Sequence, residues 1–575
     1  MRRLHTDVLI LGAGGAGLFA ALHAHQANPA LRITVAVKGL LGKCGCTRMV
    51  QGGYNVALGA GDSVARHFMD TVEGGAWLPD QELAWTLVTG AVERVRELEN
   101  ELGCFFDRNA DGSIHLKAFA GQTFDRTVHK GDLTGIEIMN RLAEAVWGRP
   151  IERLEEHRVQ ALLKNGDASA IAGALLIDMR RGEYVLVQAR AVLLATGGGP
   201  TMYRFHTPSG DKSCDGLALA LAAGLPLRDM EMVQFHPTGL LAGEDTRMTG
   251  TVLEEGLRGA GGYLLDGAGR RFMLDVDARA ERATRDIVSR AIYAEMRAGR
   301  TTPEGGVYLS MAHLGVENVR RQFKGMVERC ADCGFDLAGG RVEVVPTAHY
   351  LMGGVEFTPD CHTELPGLFV AGEDSGGVHG ANRLGGNGVA NSTVFGGIAG
   401  ASMAHWLAGA HTVHEPDADA LAAAIDQAER AFCARAGDGI DLASLRERLY
   451  AIMWDDAGIV RNAAGLARAD AALQELHAER ESYALPAAAR DRAFNLAWHE
   501  WLNLGSLIAV SQAIVRAARA RDNSRGAHYR DDYPEPGDLA RSTYTRVRLQ
   551  SGALHCQPVP VRFTRVSPGE TLIRD

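Results

Sequence analysis

The sequence of 575 residues has no long uninterrupted apolar run and no cluster of basic residues. A membrane-spanning helix needs about 20 consecutive, mostly apolar residues, so the chain is not expected to span a membrane. The formal net charge is -10 and basic residues are scattered among acidic ones, which argues against nucleic acid as a partner. The 9 cysteines lack regular spacing, as expected for reduced thiols. A cytoplasmic protein is therefore predicted.

The N-terminus carries a glycine-rich turn between a predicted strand and a predicted helix. The apolar segment Thr6–Leu11 predicts a buried strand, and Ala16–Ala27 predicts a helix. Gly12, Gly14 and Gly17 form the pattern G-x-G-x-x-G, which begins directly after the strand and ends inside the predicted helix. Such glycines let backbone amides and the helix N-terminus approach a pyrophosphate. The turn predicts a dinucleotide site, with an unliganded tight turn as the alternative.

Further strand ends extend this site. The predicted strand Arg32–Val37 completes a βαβ unit and ends at Lys38, where the acidic residue that usually binds a ribose hydroxyl is missing. The apolar run Ala191–Ala195 leads into Thr196-Gly197-Gly198, and a later strand ends at Gly372-Glu373. These loops are suited to a ligand longer than NAD, such as FAD.

The remaining composition divides the chain into regions. Residues 241–345 are more charged and loop-rich and interrupt the nucleotide-binding region, predicted at 1–240 and 346–411. Residues 412–535 have helical spacing, for example in Ala420–Ala434, Leu466–Arg480 and Ala487–Arg519. A C-terminal extension, 536–575, is predicted to hold a hairpin of Thr543–Leu549 and Pro558–Thr564.

Seven ordered motifs, spread over nearly the whole length, resemble the flavoprotein subunit family of succinate dehydrogenase and fumarate reductase, which also includes L-aspartate oxidase. They are Gln51-Gly52-Gly53, Gln234-Phe235-His236-Pro237-Thr238-Gly239, Glu255-Gly256-Leu257-Arg258-Gly259, Arg285-Asp286-Ile287-Val288-Ser289-Arg290, Pro346-Thr347-Ala348-His349-Tyr350, His379-Gly380-Ala381-Asn382-Arg383-Leu384-Gly385 and Ser524-Arg525-Gly526-Ala527-His528. The resemblance implies an α/β fold: a Rossmann-like FAD-binding domain, an inserted capping domain at 241–345 and a C-terminal helical domain.

The resemblance also implies a reaction, the interconversion of a saturated and an unsaturated dicarboxylate by hydride transfer at flavin N5. Such chemistry needs a proton donor or acceptor opposite the flavin, and cations that bind both carboxylates. Matching positions assign proton transfer to Arg285, relayed through Glu255 and Arg258. Taken singly, Glu255 and Arg258 lie three residues apart, and the alternative for them is an ion pair on a helix surface.

Substrate contacts and cofactor contacts follow from the same matches. The implied substrate-binding residues are His236, His349, Arg383, Glu254 and Phe119, although a core aromatic remains the alternative for Phe119. The cofactor-binding positions are Gly12, Gly14, Gly17, Lys38, Cys46, Thr47, Gln51, Gly52, Gly53, Thr196, Gly197, Gly198, Asp215, Glu373 and Asn387.

Two positions depart from the family pattern. Cys46 stands where the dehydrogenases carry the histidine that is joined to the flavin, so a histidyl link there is excluded, and noncovalent FAD is favoured over a thioether. Glu254 stands where they carry a threonine that touches substrate. An ionised Glu254 would repel a carboxylate. Either a partner such as Arg258 holds it away, or the natural ligand offers a hydrogen-bond donor.

Electron partners and alternative functions remain open from the sequence. Cys330 and Cys333 form a single C-x-x-C without a second pair, which favours free thiols, and iron–sulfur ligand spacings are missing. No metal site is predicted, so an iron–sulfur path would belong to a partner subunit. The alternatives are an L-aspartate oxidase-like enzyme acting on an amino dicarboxylate, and a flavin-binding subunit that has lost catalysis.

Overall fold

A computed structural model describes residues 1–243, 246, 248–409, 411–433, 441–486 and 490–573. The strands are β1 Arg2–Leu11, β2 Ile33–Val37, β3 Tyr54–Asn55, β4 Leu116–Lys117, β5 Thr127–Val128, β6 Glu152–Glu155, β7 His157–Lys164, β8 Ile171–Asp178, β9 Glu183–Leu194, β10 Leu227–Arg228, β11 Val233–Leu240, β12 Tyr263–Leu265, β13 Val307–Ser310, β14 Val342–Leu351, β15 Gly354–Val355, β16 Leu368–Val370, β17 Thr543–Gln550 and β18 Ala553–Pro560. The helices are α1 Gly15–Ala27, α2 Val64–Gly74, α3 Gln81–Asn100, α4 Thr134–Trp147, α5 Asp215–Ala222, α6 Gly256–Gly259, α7 Arg285–Arg297, α8 Val316–Gln322, α9 Lys324–Asp332, α10 Asn387–Leu407, α11 Ala418–Cys433, α12 Leu442–Ala457, α13 Ala463–Ser482 and α14 Leu496–Ala520.

The largest sheet has the strand order β6-β2-β1-β9-β8-β7, with β16 also paired to β9. Strands β6, β2, β1, β9 and β16 are parallel, and β8 and β7 continue the sheet in antiparallel fashion. Residues Val8 to Leu11 are fully buried, because helices and other elements cover both faces of the sheet. The predicted α/β class and the βαβ unit are confirmed, and the loops after β1, β9 and β16 meet at one edge.

A second sheet, of order β11-β14-β13-β12, lies with α7 over its own apolar core. The stretch predicted to be loop-rich therefore contains regular structure, including α6 to α9. Strand β14 runs across the predicted boundary at 345, so this sheet is continuous with strands of the nucleotide-binding region. The domain limits stay a prediction.

The C-terminal region is helical from α11 to α14, around buried Trp498 and Trp501. Of the predicted segment Ala487–Arg519, residues 487–489 lie outside the described residues, and the helix begins only at Leu496. By length and composition α14 is the one helix of the described chain that is apolar enough to cross a membrane, but 67% of its most apolar stretch is buried within the protein. A buried core helix passes the same test.

The C-terminal hairpin pairs β17 with β18, and β17 pairs in turn with β10. The predicted hairpin is present, but its second strand runs over Ala553–Pro560 and not over the predicted Pro558–Thr564. Ser551 and Gly552 have φ angles of 48° and 77° and form a tight two-residue turn, so the second strand starts at Ala553.

Candidate active site

A cavity of about 530 Å³ opens where the glycine-rich loops of the main sheet face β11, β14 and α7. The predicted site residues that line it are Gly14, Cys46, Thr47, Gln51, Gly52, Gly53, Phe119, Thr196, Gly197, His236, Glu254, Glu255, Arg285, His349, Glu373 and Arg383. Residues from distant parts of the chain are thus brought into one site. Gly12, Lys38 and Asp215 line a cleft of about 60 Å³ that adjoins it through Gly14, Thr196 and Gly197.

The turn after β1 is shaped by the lack of a side chain at Gly12. Gly12 has a φ of 115°, and a Cβ there would lie 2.1 Å from the carbonyl oxygen of Ala195. The loops after β1 and β9 therefore approach each other closely beside the N-terminus of α1. Backbone amides and a helix N-terminus at the floor of a long cavity suit a pyrophosphate.

The adjoining cleft is polar. Lys38 Nζ donates to Asp215 Oδ2 at 2.9 Å, and Arg158 Nη2 donates to Asp215 Oδ1 at 2.7 Å. Burial alone would raise the pKa of Asp215, but these two cations lower it, so the carboxylate stays ionised. Asp215, the first residue of α5, thus places an ionised carboxylate beside the end of β2.

Four predicted residues line neither space and instead support residues that do: Gly17, Gly198, Arg258 and Asn387. A Cβ at Gly17 would meet the Gly12 carbonyl at 2.0 Å, and one at Gly198 would meet Glu373 at 2.9 Å. The Asn387 amide is bonded to Asn55, His67 and Thr71. The binding of a cofactor by the two glycines and Asn387 stays a prediction.

Arg285, Glu255 and Arg258 form a buried chain that reaches the cavity. Arg285 Nη2 lies 2.5 Å and Nε 3.1 Å from Glu255 Oε2, and Arg258 Nη2 lies 3.3 Å from Glu255 Oε1. All three are at most 6% exposed, so an ion pair on a helix surface is ruled out. Although burial raises it, the pKa of Glu255 is lowered overall by the two guanidinium groups.

Two neighbouring histidines line the cavity, with the ring centroids of His236 and His349 5.4 Å apart. Burial, together with Arg285 and other cations, holds the pKa of both well below 6.5, so both rings are neutral. The backbone amide of Thr238 donates to His236 Nδ1 at 3.3 Å, which places the proton of the neutral ring on Nε2. His236 can therefore donate from Nε2.

Arg383 supplies the second cation. Its guanidinium lies 4.5 Å above the centre of the Tyr350 ring, and its buried Nε has no hydrogen-bond partner among the described residues. Burial and the nearby Arg285 lower its pKa to about 10, which leaves it charged at neutral pH. A buried guanidinium with unused donors is suited to binding a carboxylate.

Glu254 lies next to Glu255 but has different partners. Its Oε1 is 3.5 Å from Lys117 Nζ, and its buried Oε2 has no hydrogen-bond partner within the described ranges. Arg258, the partner suggested by the sequence, bonds Glu255 and the Glu281 carbonyl instead. Burial raises the pKa of Glu254, an effect that Lys117 partly offsets.

Cys46 lies on a short 3₁₀ turn, Cys46–Met49, at the wall of the cavity. Burial raises the pKa of its thiol to about 12, so at neutral pH the thiolate is scarce. Phe119 also lines the cavity, 4% exposed, and a Cβ at Gly52 would lie 2.4 Å from its ring. Phe119 thus packs against the Gln51-Gly52-Gly53 segment.

Several residues of the site were not predicted. Asp374 accepts hydrogen bonds from the Thr196 and Gly197 amides at 2.5 and 3.1 Å, and Lys212 Nζ donates to the Thr196 carbonyl at 2.7 Å. Gln234 accepts from Arg285 Nη1 at 3.0 Å. Gln234 stood inside a matched motif, whereas Lys212 and Lys117 gave no local signal.

Known proteins match the chain over most of its length. Residues 7–389 match the FAD binding domain family, and residues 446–572 match the fumarate reductase flavoprotein C-terminal family. A fumarate reductase (CoM/CoB) subunit of Methanothermobacter marburgensis is 40% identical over 92% of this chain and 94% of that protein. The chain belongs to the fumarate reductase and succinate dehydrogenase flavoprotein family. The flavoprotein subunit of Escherichia coli fumarate reductase is 35% identical over 92% of this chain and 89% of that one.

Solved structures of this family have the same fold. A mutant FrdA of E. coli quinol fumarate reductase has a TM-score of 0.93 and 33% identity, covering 99% of both chains. Mycobacterium smegmatis Sdh1 in complex with UQ1 has a TM-score of 0.85 and 36% identity, covering 97% of this chain and 94% of that one. The chain is an FAD-dependent oxidoreductase of this flavoprotein type, and the close glycine turn, the helix N-terminus and the adjoining cleft fit FAD.

Among the described residues, no group of three or more His, Cys, Asp or Glu side chains is arranged to hold a metal ion. Of the C-x-x-C pair, Cys330 is buried in the core of the second sheet and Cys333 is half-buried; both are free thiols.

Proposed function

We propose that this flavoprotein interconverts a saturated and an unsaturated dicarboxylate by hydride transfer, with Arg285 exchanging the proton. The observation that carries the proposal is the buried chain from Arg285 through Glu255 to Arg258, which opens beside His236, His349 and Arg383. Bound FAD supplies the two-electron hydride chemistry at N5. The residues of the chain bind the substrate, exclude water and hold the proton.

The cations and the neutral histidines explain dicarboxylate binding. Arg383 has unused donors and is charged, and His236 donates from Nε2, so each can bind an oxygen of a carboxylate. With Arg285 also at the cavity wall, two guanidinium groups compensate the double negative charge of the substrate. The substrate carbons then lie between the flavin side of the cavity and Arg285, which is the arrangement that hydride and proton transfer require.

Arginine is an unusual acid and base because its pKa is high. Here the guanidinium is 6% exposed and bonded to Glu255, which remains ionised. A proton that Arg285 exchanges with substrate can be balanced by Glu255 and Arg258, while the burial of Arg285 and Glu255 keeps water away from the pair. Arg258 reaches the carbonyl of Glu281 at 2.7 Å, which extends the polar contacts toward the second sheet.

We further infer that electrons are exchanged with an iron–sulfur partner subunit on the cytoplasmic side of a membrane. Several relatives are named as subunits, among them the 8-methylmenaquinol:fumarate reductase flavoprotein subunit of Wolinella succinogenes, 34% identical over 96% of this chain. The described part of this chain has no metal-ligand group through which electrons would leave.

Anaerobic flavin spectroscopy tests the proposal. We expect one saturated dicarboxylate to bleach the yellow oxidised protein, and the matching unsaturated acid to restore the colour of the dye-reduced protein. A flavin indifferent to every dicarboxylate would instead indicate a subunit that has lost catalysis. Rapid reoxidation by air with release of hydrogen peroxide, after reduction by L-aspartate, would favour the amino dicarboxylate oxidase.

A further inference from the structure

Glu254 is a carboxylate of the cavity with one buried oxygen that has no hydrogen-bond partner among the described residues. Both oxygens of its neighbour Glu255 are bonded to arginines. Glu254 is 2% exposed and lines the cavity, but only its Oε1 has a neighbour, Lys117 at 3.5 Å. Its Oε2 is buried without a hydrogen-bond partner in the described part of the chain. Because an unpaired buried carboxylate oxygen is costly, a bound ligand is expected to donate to it.

We propose that Glu254 selects a dicarboxylate that carries an amino or hydroxyl group, which donates a hydrogen bond to Oε2. This inference rests on the proposed function, since it assumes that a dicarboxylate binds between Arg383 and Arg285. The two-electron balance of the reaction is unchanged by the substituent: oxidation gives one hydride to the flavin and releases one proton, and reduction reverses both.

Charge and hydrogen bonding give the reason why an unsubstituted acid is disfavoured. At an effective dielectric constant near 20, an ionised Glu254 repels a substrate carboxylate about 4 Å away, and this repulsion lowers the affinity roughly a thousandfold. Lys117 Nζ lies 3.5 Å from Oε1 and also donates to the Gly131 carbonyl at 2.9 Å, and its charge offsets part of this repulsion. Malate and aspartate carry the same two carboxylates, so the discrimination against succinate comes from the donor: a hydrogen bond to the buried carboxylate favours the substituted acid by roughly ten- to a hundredfold.

Other charged groups face the same end of the cavity. Asp132 and Arg329 line it, and Arg329 donates to the Val252 carbonyl at 3.3 Å. Asp132 packs against α9, where a Cβ on Gly325 would lie 1.9 Å from its carboxylate. With Lys117 and Glu254 they form a mixed group of cations and carboxylates, which suits a neutral or cationic donor better than a further carboxylate.

The experiment uses the FAD-loaded protein and titrates the oxidised flavin spectrum with succinate and with both stereoisomers of malate and aspartate. We expect the wild-type protein to bind at least one malate or aspartate isomer about ten times more tightly than succinate. The comparison of malate with aspartate then separates a hydroxyl donor from an ammonium donor. Glu254→Thr and the size-matched Glu254→Gln should both tighten succinate and weaken the preferred isomer.

A control variant and the outcomes that would contradict the inference complete the test. Glu317→Thr removes a carboxylate that is 89% exposed on α8 and should change no affinity. Equal succinate affinity in the wild-type and both Glu254 variants would overturn the inference while leaving the proposed function intact. A flavin unresponsive to every acid in all variants would overturn the proposed function as well.

Discussion

The side chain of Arg285 is held by Glu255 through two contacts to one oxygen, Nη2 to Oε2 at 2.5 Å and Nε to Oε2 at 3.1 Å. Gln234 fixes the remaining Nη1 at 3.0 Å. Contacts at all three nitrogens therefore hold the guanidinium in one orientation at the cavity wall. An acid-base group must be oriented in this way before substrate binds. Its neighbour Glu255 connects it to Arg258, so orientation and charge balance come from the same carboxylate.

Replacing Arg285 tests this arrangement. Arg285→Lys and Arg285→Gln should retain FAD, because the residue lies apart from the nucleotide cleft, but should lower kcat by about 10²–10⁴-fold. Steady-state turnover and the visible spectrum of each variant measure both properties. Arg297→Gln, at the exposed end of the same helix, is the matched control and should leave turnover unchanged. Turnover within a few-fold of wild type in Arg285→Gln would contradict the proton-transfer role.

The environment of Cys46 leads us to expect that FAD is bound noncovalently. A thioether would form from the thiolate, and burial raises the pKa of Cys46 to about 12, so we expect FAD to be released on acid denaturation. The precipitated protein should be colourless and the supernatant yellow. Cys44→Ser serves as a control. A yellow pellet that becomes colourless in Cys46→Ser would show that the thiol is attached to the flavin.

We expect the stability of the FAD-free protein to depend on pH through Glu373. Burial raises the pKa of Glu373 to about 7, although the Leu351 and Gly199 amides donate to it at 3.0 and 3.2 Å. The pKa of Glu373 is higher in the folded protein than in the unfolded chain, so between these two values the folded protein binds more protons. The stabilising contribution of Glu373 is therefore complete below about pH 4.5 and is lost as the pH rises to about 7. The loss is about 3 kcal/mol.

Thermal unfolding of the FAD-free protein at pH 5 and pH 8 measures this loss. Glu373→Gln cannot ionise, so its melting temperature should fall less between the two pH values than that of the wild-type protein. Glu82→Gln, which removes a carboxylate paired with Arg565 near the surface, is the control. Equal pH dependence in wild type and Glu373→Gln would show that Glu373 is ionised throughout this range.

The sequence predicted the parts of the fold and site that local patterns encode. The strand, the glycine turn and α1 are contiguous, so periodicity and spacing were sufficient, and the ends agreed within a few residues. The start of α14 and the second strand of the hairpin depended on packing and on a tight turn, and both were misplaced. The contact of Lys117 with Glu254 joins two distant segments, and neither residue carries a pattern that indicates the other.

Gly385 lies where the site leaves little room for a side chain. A Cβ on Gly385 would lie 2.4 Å from Glu255 Oε2, 2.7 Å from the Phe119 ring and 3.1 Å from Arg285 Nη2. The first two distances are too short for a Cβ, so in Gly385→Ala the carboxylate of Glu255 and the ring of Phe119 must shift, which disturbs the contact of Glu255 with Arg285. A displacement of about 1 Å at such a group can lower the rate by about 10²-fold.

We therefore expect Gly385→Ala to fold and to retain FAD but to lose about 10²-fold in kcat. Turnover, flavin content and the dissociation constant of a dicarboxylate separate this effect from loss of the cofactor. Gly166→Ala is the matched control, because a Cβ there has no neighbour within 4 Å and the backbone φ is not positive. If Gly385→Ala kept full turnover, the Arg285–Glu255 contact would tolerate displacement, and the geometry of this pair would not limit proton transfer.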